Sequence, residues 1–347
     1  MTATSSEIVS TSTIDSTMSI ISADSHVHEP PSVWLDVPAQ YRERAALIGQ
    51  QSDLAKGKPG GMDPRERVKE MEIDGVSAEV LYPTTGIRLF DIDDPDYQEA
   101  LFHAYNDWLI DYCSHASQRL VGLPLLSTYN VDHAVKELER CRNKGLHGAL
   151  IWLNHPPELP FTASHYEPLW DAAEALDAPI NLHTILHLKS HPSFQESESQ
   201  RIKESLTRYV DAANALFDIV TSGVLERHPR LKLVLVELHI GWIPFILQQW
   251  DDALSRRGMA PEELPSRKFE RQVYATFIHD EVGGKLLSGW GQDNCMWSSD
   301  YPHGASMWPY SRQSIATQLG HLDKITLKKV LQDNVVRLYP DALGHLA

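Results

Sequence analysis

The sequence predicts an α/β protein built as a (β/α)8 TIM barrel, distorted by loop insertions, and three observations lead there. Eight short apolar runs alternate with longer stretches whose apolar residues recur at helical spacing. Such alternation suits parallel strands, and closure at eight leaves no strand edge exposed, as an open doubly wound sheet would. There is no GxGxxG after a strand, no GxxxxGK followed by Ser or Thr, and no internal repeat, which removes dinucleotide-binding, P-loop and solenoid readings.

The first strand is expected over Ile20 to His26, followed by an irregular stretch rich in Pro, Gly and charge and a helix from Arg65 to Asp74. Ala78 to Pro83 reads as strand two; Ala100, Leu101, Ala104, Trp108 and Leu109 place a helix around Tyr97 to His115. Strand three is Leu120 to Leu126, and the helix from Val131 to Lys144 stops at Gly145, a fitting C-terminal cap. Gly148 to Leu153 is strand four, a helix runs through Trp170 to Ala175, and Pro179 to His183 is strand five. A long helix is expected from Arg201 to Leu225, then the apolar sixth strand Leu231 to Glu237 and a helix from Ile243 to Leu254. Strands seven, Val273 to Phe277, and eight, Cys295 to Ser298, precede helices near Ser311 to Leu319 and Leu327 to Val336. Residues 1–19, rich in Ser and Thr with neither a basic start nor an apolar core, read as a disordered leader, and residues 20–347 as one domain.

Of the 347 residues 42% are hydrophobic, ample for one large core, and the formal charge of −16 argues against nucleic acid or an anionic membrane as partner. No apolar run approaches the roughly 18–20 residues needed to cross a bilayer. Three cysteines without CxxC spacing fit a reducing compartment, so a cytoplasmic protein acting on a small molecule is expected.

The chemistry is concentrated at strand ends. In Asp24-Ser25-His26-Val27-His28-Glu29-Pro30 two imidazoles lie two apart and, by strand alternation, face one side, where they could share a divalent cation. The alternative makes His28 a surface loop residue and Asp24 a turn former. His183 ends strand five and Asp300 follows strand eight; the C-terminal strand ends of a barrel surround a common cavity, so these ligand types converge there. The bland readings are a satisfied core histidine and a turn carboxylate.

In these motifs the chain resembles the amidohydrolase superfamily, in the branch that contains aminocarboxymuconate semialdehyde, γ-resorcylate and 5-carboxyvanillate decarboxylases. DSHVHEP, NLHT, VELHIGWIPF, MWSSDYPH and the closing DNVVRLY carry the resemblance over about residues 20–345. It implies His26, His28, His183 and Asp300 as metal ligands, with Asp300 also a proton carrier, and His239 as catalytic histidine, although counting back from Pro244 places Leu238 nearer the usual register. It further implies a homodimer or homotetramer. One divalent ion per chain is expected, Zn2+ first and Mn2+ second, since both suit histidine–carboxylate sites.

Glu29 is open to three readings, a metal ligand, a partner for a ligand histidine, or the start of the next loop, of which the second is favoured. Arg88, after strand two, is a candidate bidentate clamp for a substrate carboxylate. His303 is assigned to the substrate side, and Trp152 and Trp242 wall the pocket or pack the barrel. His187 and His191 read as polar loop residues, in a segment that, with residues 30–64, is expected to set specificity. The expected reaction is non-oxidative decarboxylation of a small aromatic or unsaturated acid, with metal-dependent hydrolysis of an amide, lactone or related carbonyl as the alternative. A non-catalytic metal-binding protein is the third reading.

Overall fold

The computed structural model describes residues 14–15, 17–48, 58–184 and 198–347. Most of the expected leader, His187, His191 and parts of both specificity loops therefore lie outside the described residues. Eight parallel strands alternate with helices along the chain: β1 (Ile21–Val27), α1 (Pro64–Asp74), β2 (Ala78–Pro83), α2 (Pro95–Ser114), β3 (Leu120–Gly122), α3 (Val131–Asn143), β4 (Ala149–Ile151), α4 (Glu167–Ala175), β5 (Ile180–His183), α5 (Glu198–Thr221), β6 (Leu233–Val236), α6 (Ile243–Arg256), β7 (Val273–Phe277), α7 (Glu281–Leu286), β8 (Cys295–Trp297) and α8 (Ser311–Leu319). Every strand residue is buried, which is why the strands read as continuous apolar runs rather than as alternating ones.

The ladder is continuous through β1-β2-β3 and through β4 to β8, and two further contacts close the ring. Leu125 bridges Leu150, and beyond β8 Asp300 N donates to Asp24 O at 3.0 Å while His26 N donates to Tyr301 O at 2.6 Å. This second closure brings the segment after β8 against β1 at the residues where ligands were expected. Strand three ends at Gly122 rather than Leu126, since Pro124 lacks the N–H a ladder needs. The long fifth helix stops at Thr221, and Gly223 at φ +77° separates it from the short turn Val224–Arg227.

Distortion is concentrated in β1, whose register against β2 shifts between Ser22 and Ser25. Beneath that bulge Ser22, Ser25 and Ser299 hydroxyls form a buried hydrogen-bonded knot, and Arg67 from α1 donates to His26 O at 2.7 Å while pairing with Glu79 of β2. Helices are capped as their sequences suggest: Asp63, Asp94 and Asn130 side chains accept from the first turns of α1, α2 and α3. Of the expected leader, Ile14 and Met18 pack on the core, and Arg312 donates to the carbonyls of Asp15 and Met18.

Gly148 leads into β4 at φ +66°, and a Cβ there would sit 2.8 Å from Pro179 O. Gly148→Ala is therefore expected to lower stability by about 1–3 kcal/mol through left-handed strain and backbone contact. A urea midpoint unchanged from the parent protein would contradict this.

Candidate metal centre

Strand alternation places Asp24 and His26 on the same face of β1, β5 delivers His183, and the residue directly after β6 is Glu237. One donor atom from each of these four lies within 4.8 Å of those of the others, and His26, Asp300 and His303 form a second such group that shares His26. His26 Nδ1 lies 2.9 Å from Pro83 O and His183 Nδ1 2.6 Å from Thr184 O. A carbonyl only accepts, so both Nδ1 atoms carry hydrogen and each Nε2 turns into the site. Asp24 Oδ1 is 3.4 Å from His26 Nε2 and 3.7 Å from His183 Nε2; Glu237 Oε2 is 3.6 Å from His183 Nε2, and Asp300 Oδ1 3.5 Å from His26 Nε2.

Both Nε2 atoms and both Asp24 oxygens are buried and have no hydrogen-bond partner among the described residues. Burial without partners costs a few kcal/mol per group, yet several such atoms face one point. Ligand atoms about 2.1 Å from a common ion stand roughly 3–3.5 Å apart, which these separations approach and hydrogen bonds would not. The donor set of two imidazoles and two or three carboxylates fits a divalent cation.

The electrostatics favour positive charge at the same point. Burial raises the Asp24 carboxyl, and the imidazoles of His183 and His26 more than reverse this, so its pKa ends below the ordinary value. Burial lowers His26, but Asp24, Asp300 and Glu237 push it up to about 9. Glu237 is raised by burial and by the negative charge of Asp300. His303 packs against His26 with ring centroids 4.1 Å apart and planes tilted by 33°; its Nδ1 lies 2.8 Å from Asp300 Oδ1 and its Nε2 3.0 Å from Thr84 Oγ1.

The site departs from the sequence expectation in definite ways. It gathers His26, His183 and Asp300, but His28, expected to share the ion with His26, joins neither donor group. β1 ends at Val27, His28 N donates to Gly61 O at 2.7 Å, and its ring packs against Gly61. Burial and the neighbouring His303 push its pKa down to about 3. Asp24, a turn former only in the alternative reading of this strand, falls in the donor group with His26, His183 and Glu237.

After β6 Glu237 and His239 both adopt left-handed backbone, at φ +59° and +58°, which reverses the chain before the histidine. His239 then falls among Arg208, Asp280 and His279, where burial and Arg208 lower its pKa, and not among the donors. Glu29 accepts from the amides of Thr85 and Gly86 at 2.9 and 3.0 Å, so it ties down the loop after β2 and does not orient a ligand histidine.

Trp152 is wholly buried and donates to the Tyr166 hydroxyl, so it packs the barrel. Trp242, half-buried, donates to Leu238 O beside Tyr209. Arg88 sits half-buried on the turn Gly86–Asp91, with no ion-pair partner among the described residues and no contact to the donor cluster. His303, assigned from sequence to the substrate side, is itself part of the cluster. Asp24 and Glu237 were missed, although Asp24 stands two before His26 and Glu237 ends the apolar run of strand six.

Among known proteins, a family model described as amidohydrolase matches residues 23–340. The chain is 24% identical over 265 residues to the gamma-resorcylate decarboxylase of Rhizobium sp. (strain MTP-10005), covering 71% of this chain and 78% of that one. In fold it resembles the 2,6-dihydroxybenzoate decarboxylase from Rhizobium, with a TM-score of 0.70 at 20% identity over 93% of this chain and 99% of the other. The 5-carboxyvanillate decarboxylase from Novosphingobium aromaticivorans, solved with manganese and 4-hydroxy-3-methoxy-5-nitrobenzoic acid, gives 0.72 at 17% identity over 94% and 97%.

Proposed function

The chain belongs to the amidohydrolase family, and from that premise we propose that it is a metal-dependent carboxy-lyase that removes carbon dioxide, without redox chemistry, from a small aromatic or unsaturated carboxylic acid. The observation that carries the reading is the buried, unpartnered donor set at the strand ends, in a chain whose curated relatives include a decarboxylase over 71% of its length. Asp24, His26, His183 and Glu237 would hold the ion, with Asp300 beside His26. When bound, a divalent ion supplies a Lewis acid that anchors and polarises the substrate's oxygen atoms.

Asp300, held by His303, carries the proton to the substrate carbon that bears the carboxylate. A π pair of the substrate takes that proton, the bond to the carboxylate then breaks, and its electron pair restores the unsaturation as carbon dioxide leaves. Asp300 regains its proton from water, so the net change is one proton taken up and one carbon dioxide released. His303, between Asp300 and Thr84, fixes which oxygen of the carboxylate is engaged. His239 has no part in this scheme.

We infer Mn2+ or Zn2+. A three-histidine set favours zinc, but the carboxylate-rich set here is harder and moves the choice towards manganese, the metal bound in the carboxyvanillate enzyme. The three cysteines are buried and unpaired, and no helix among the described residues is long and apolar enough to cross a membrane. The unpaired cysteines support a cytoplasmic location, and the family resemblance supports a homodimer or homotetramer, with residues 20–347 as one domain. Arg88 and Trp242 remain the proposed substrate-side residues.

Hydrolysis is the second reading, favoured by the place of His239, the expected imidazole acid, among Arg208, Asp280 and His279 and outside the donor cluster. A panel of hydroxybenzoate-type acids and their amides and lactones, offered to protein loaded with Mn2+ or Zn2+, separates the two. Metal-dependent carbon dioxide release is expected; hydrolysis products without it would reverse the order.

A further inference from the structure

Glu237 is fixed from two sides by groups outside the donor cluster. Its backbone N–H donates to Thr276 Oγ1 of β7 at 2.9 Å, in a left-handed conformation that a glutamate adopts only when its surroundings enforce it. Its side chain is divided: Oε1 accepts from Arg208 Nη1 of α5 at 2.9 Å, and Oε2 faces His183 Nε2 at 3.6 Å. Both partners are largely covered, with the arginine side chain 19% and the glutamate 15% exposed, so solvent screens this pair far less than a surface bridge. The cluster otherwise gathers imidazoles and carboxylates, and a guanidinium beside it would by charge alone oppose a cation.

We propose that Arg208 is a positioning residue of the metal centre, which by holding Oε1 of Glu237 turns Oε2 towards the ion and makes this glutamate a donor from the segment after β6. This rests on the reading that the site holds a divalent cation. A guanidinium suits the task because its planar fork fixes the carboxylate plane, whereas a hydrated ammonium would not hold one rotamer as firmly. The geometry has a consequence of opposite sign to simple electrostatics. Removing a positive charge from beside a cation site should tighten cation binding, while losing the group that aims a ligand should weaken it.

The test uses the full chain, freed of metal with a chelator and titrated with Mn2+ alone, with free Mn2+ read from its paramagnetic resonance signal. Arg208→Gln is expected to weaken binding about tenfold, the scale for loss of a group that orients a ligand. Arg208→Lys should recover part of that loss, and melting temperature identifies any variant that fails to fold. Because Arg208 acts through Glu237, the double variant Arg208→Gln with Glu237→Gln should bind no more weakly than Glu237→Gln alone. Unchanged or tighter binding by Arg208→Gln, or additive losses in the double variant, would overturn the assignment. If the parent protein takes up neither Mn2+ nor Zn2+, the metal reading itself falls and this inference with it.

Discussion

Asp24→Asn is expected to leave the purified protein nearly metal-free, with Mn2+ or Zn2+ affinity at least about a hundredfold weaker, while His28→Ala keeps its metal. Asparagine preserves the shape of the side chain and one carbonyl oxygen. It removes the negative charge that stands 3.4 and 3.7 Å from the two inward Nε2 atoms, the feature that makes this point attractive to a cation. His28 lies beyond the end of β1 and joins neither donor group; its ring packs against Gly61 and edge-on to His303, and its buried Nε2 has no hydrogen-bond partner among the described residues. The pair therefore separates two readings of one heptapeptide. Elemental analysis of both variants, with melting temperatures to show that each folds, decides between them. Metal kept by Asp24→Asn and lost by His28→Ala would restore the two-histidine reading of this strand.

The same heptapeptide shows what the sequence makes legible. Fold class was readable because buried parallel strands leave continuous apolar runs such as Leu233–Val236, and because Gly and Pro punctuate them. Which residues of DSHVHEP face inward was readable only up to a register. Alternation pairs His26 equally with Asp24 or with His28, and the end of β1 at Val27 is decided by backbone contacts from Gly61 and Tyr301, far away in sequence.

Glu237 was hidden for a different reason. It ends an apolar run as an ordinary polar stop, and a histidine two residues later draws attention. The two left-handed residues that turn the glutamate in and the histidine out are set by Thr276, Arg208 and Asp280, the last accepting from Ile240 and Gly241 amides. None of these is near in sequence. Trp152 likewise gave no local sign of its hydroxyl partner Tyr166.

Asp300 is the residue on which both chemical readings depend. Its backbone is pinned by the closure of the barrel, since its N–H donates to Asp24 O, and it holds left-handed geometry at φ +51°. Its side chain meets His303 on one side and His26 on the other. Asp300→Asn keeps the shape, the size and one oxygen able to accept from His303, but it cannot hold and release the proton that decarboxylation or hydrolysis requires. Turnover should therefore fall by at least about a hundredfold, while most of the metal stays bound through Asp24, His26, His183 and Glu237. A carboxylate serving only the turn would give another result, because asparagine adopts left-handed backbone and caps turns nearly as well as aspartate. In that case metal, melting temperature and turnover would all stay near the parent values. Measuring the three together on one preparation distinguishes a proton carrier, which loses turnover alone, from a dominant metal ligand, which loses metal and turnover in proportion. Near-parental turnover with full metal would remove Asp300 from the chemistry.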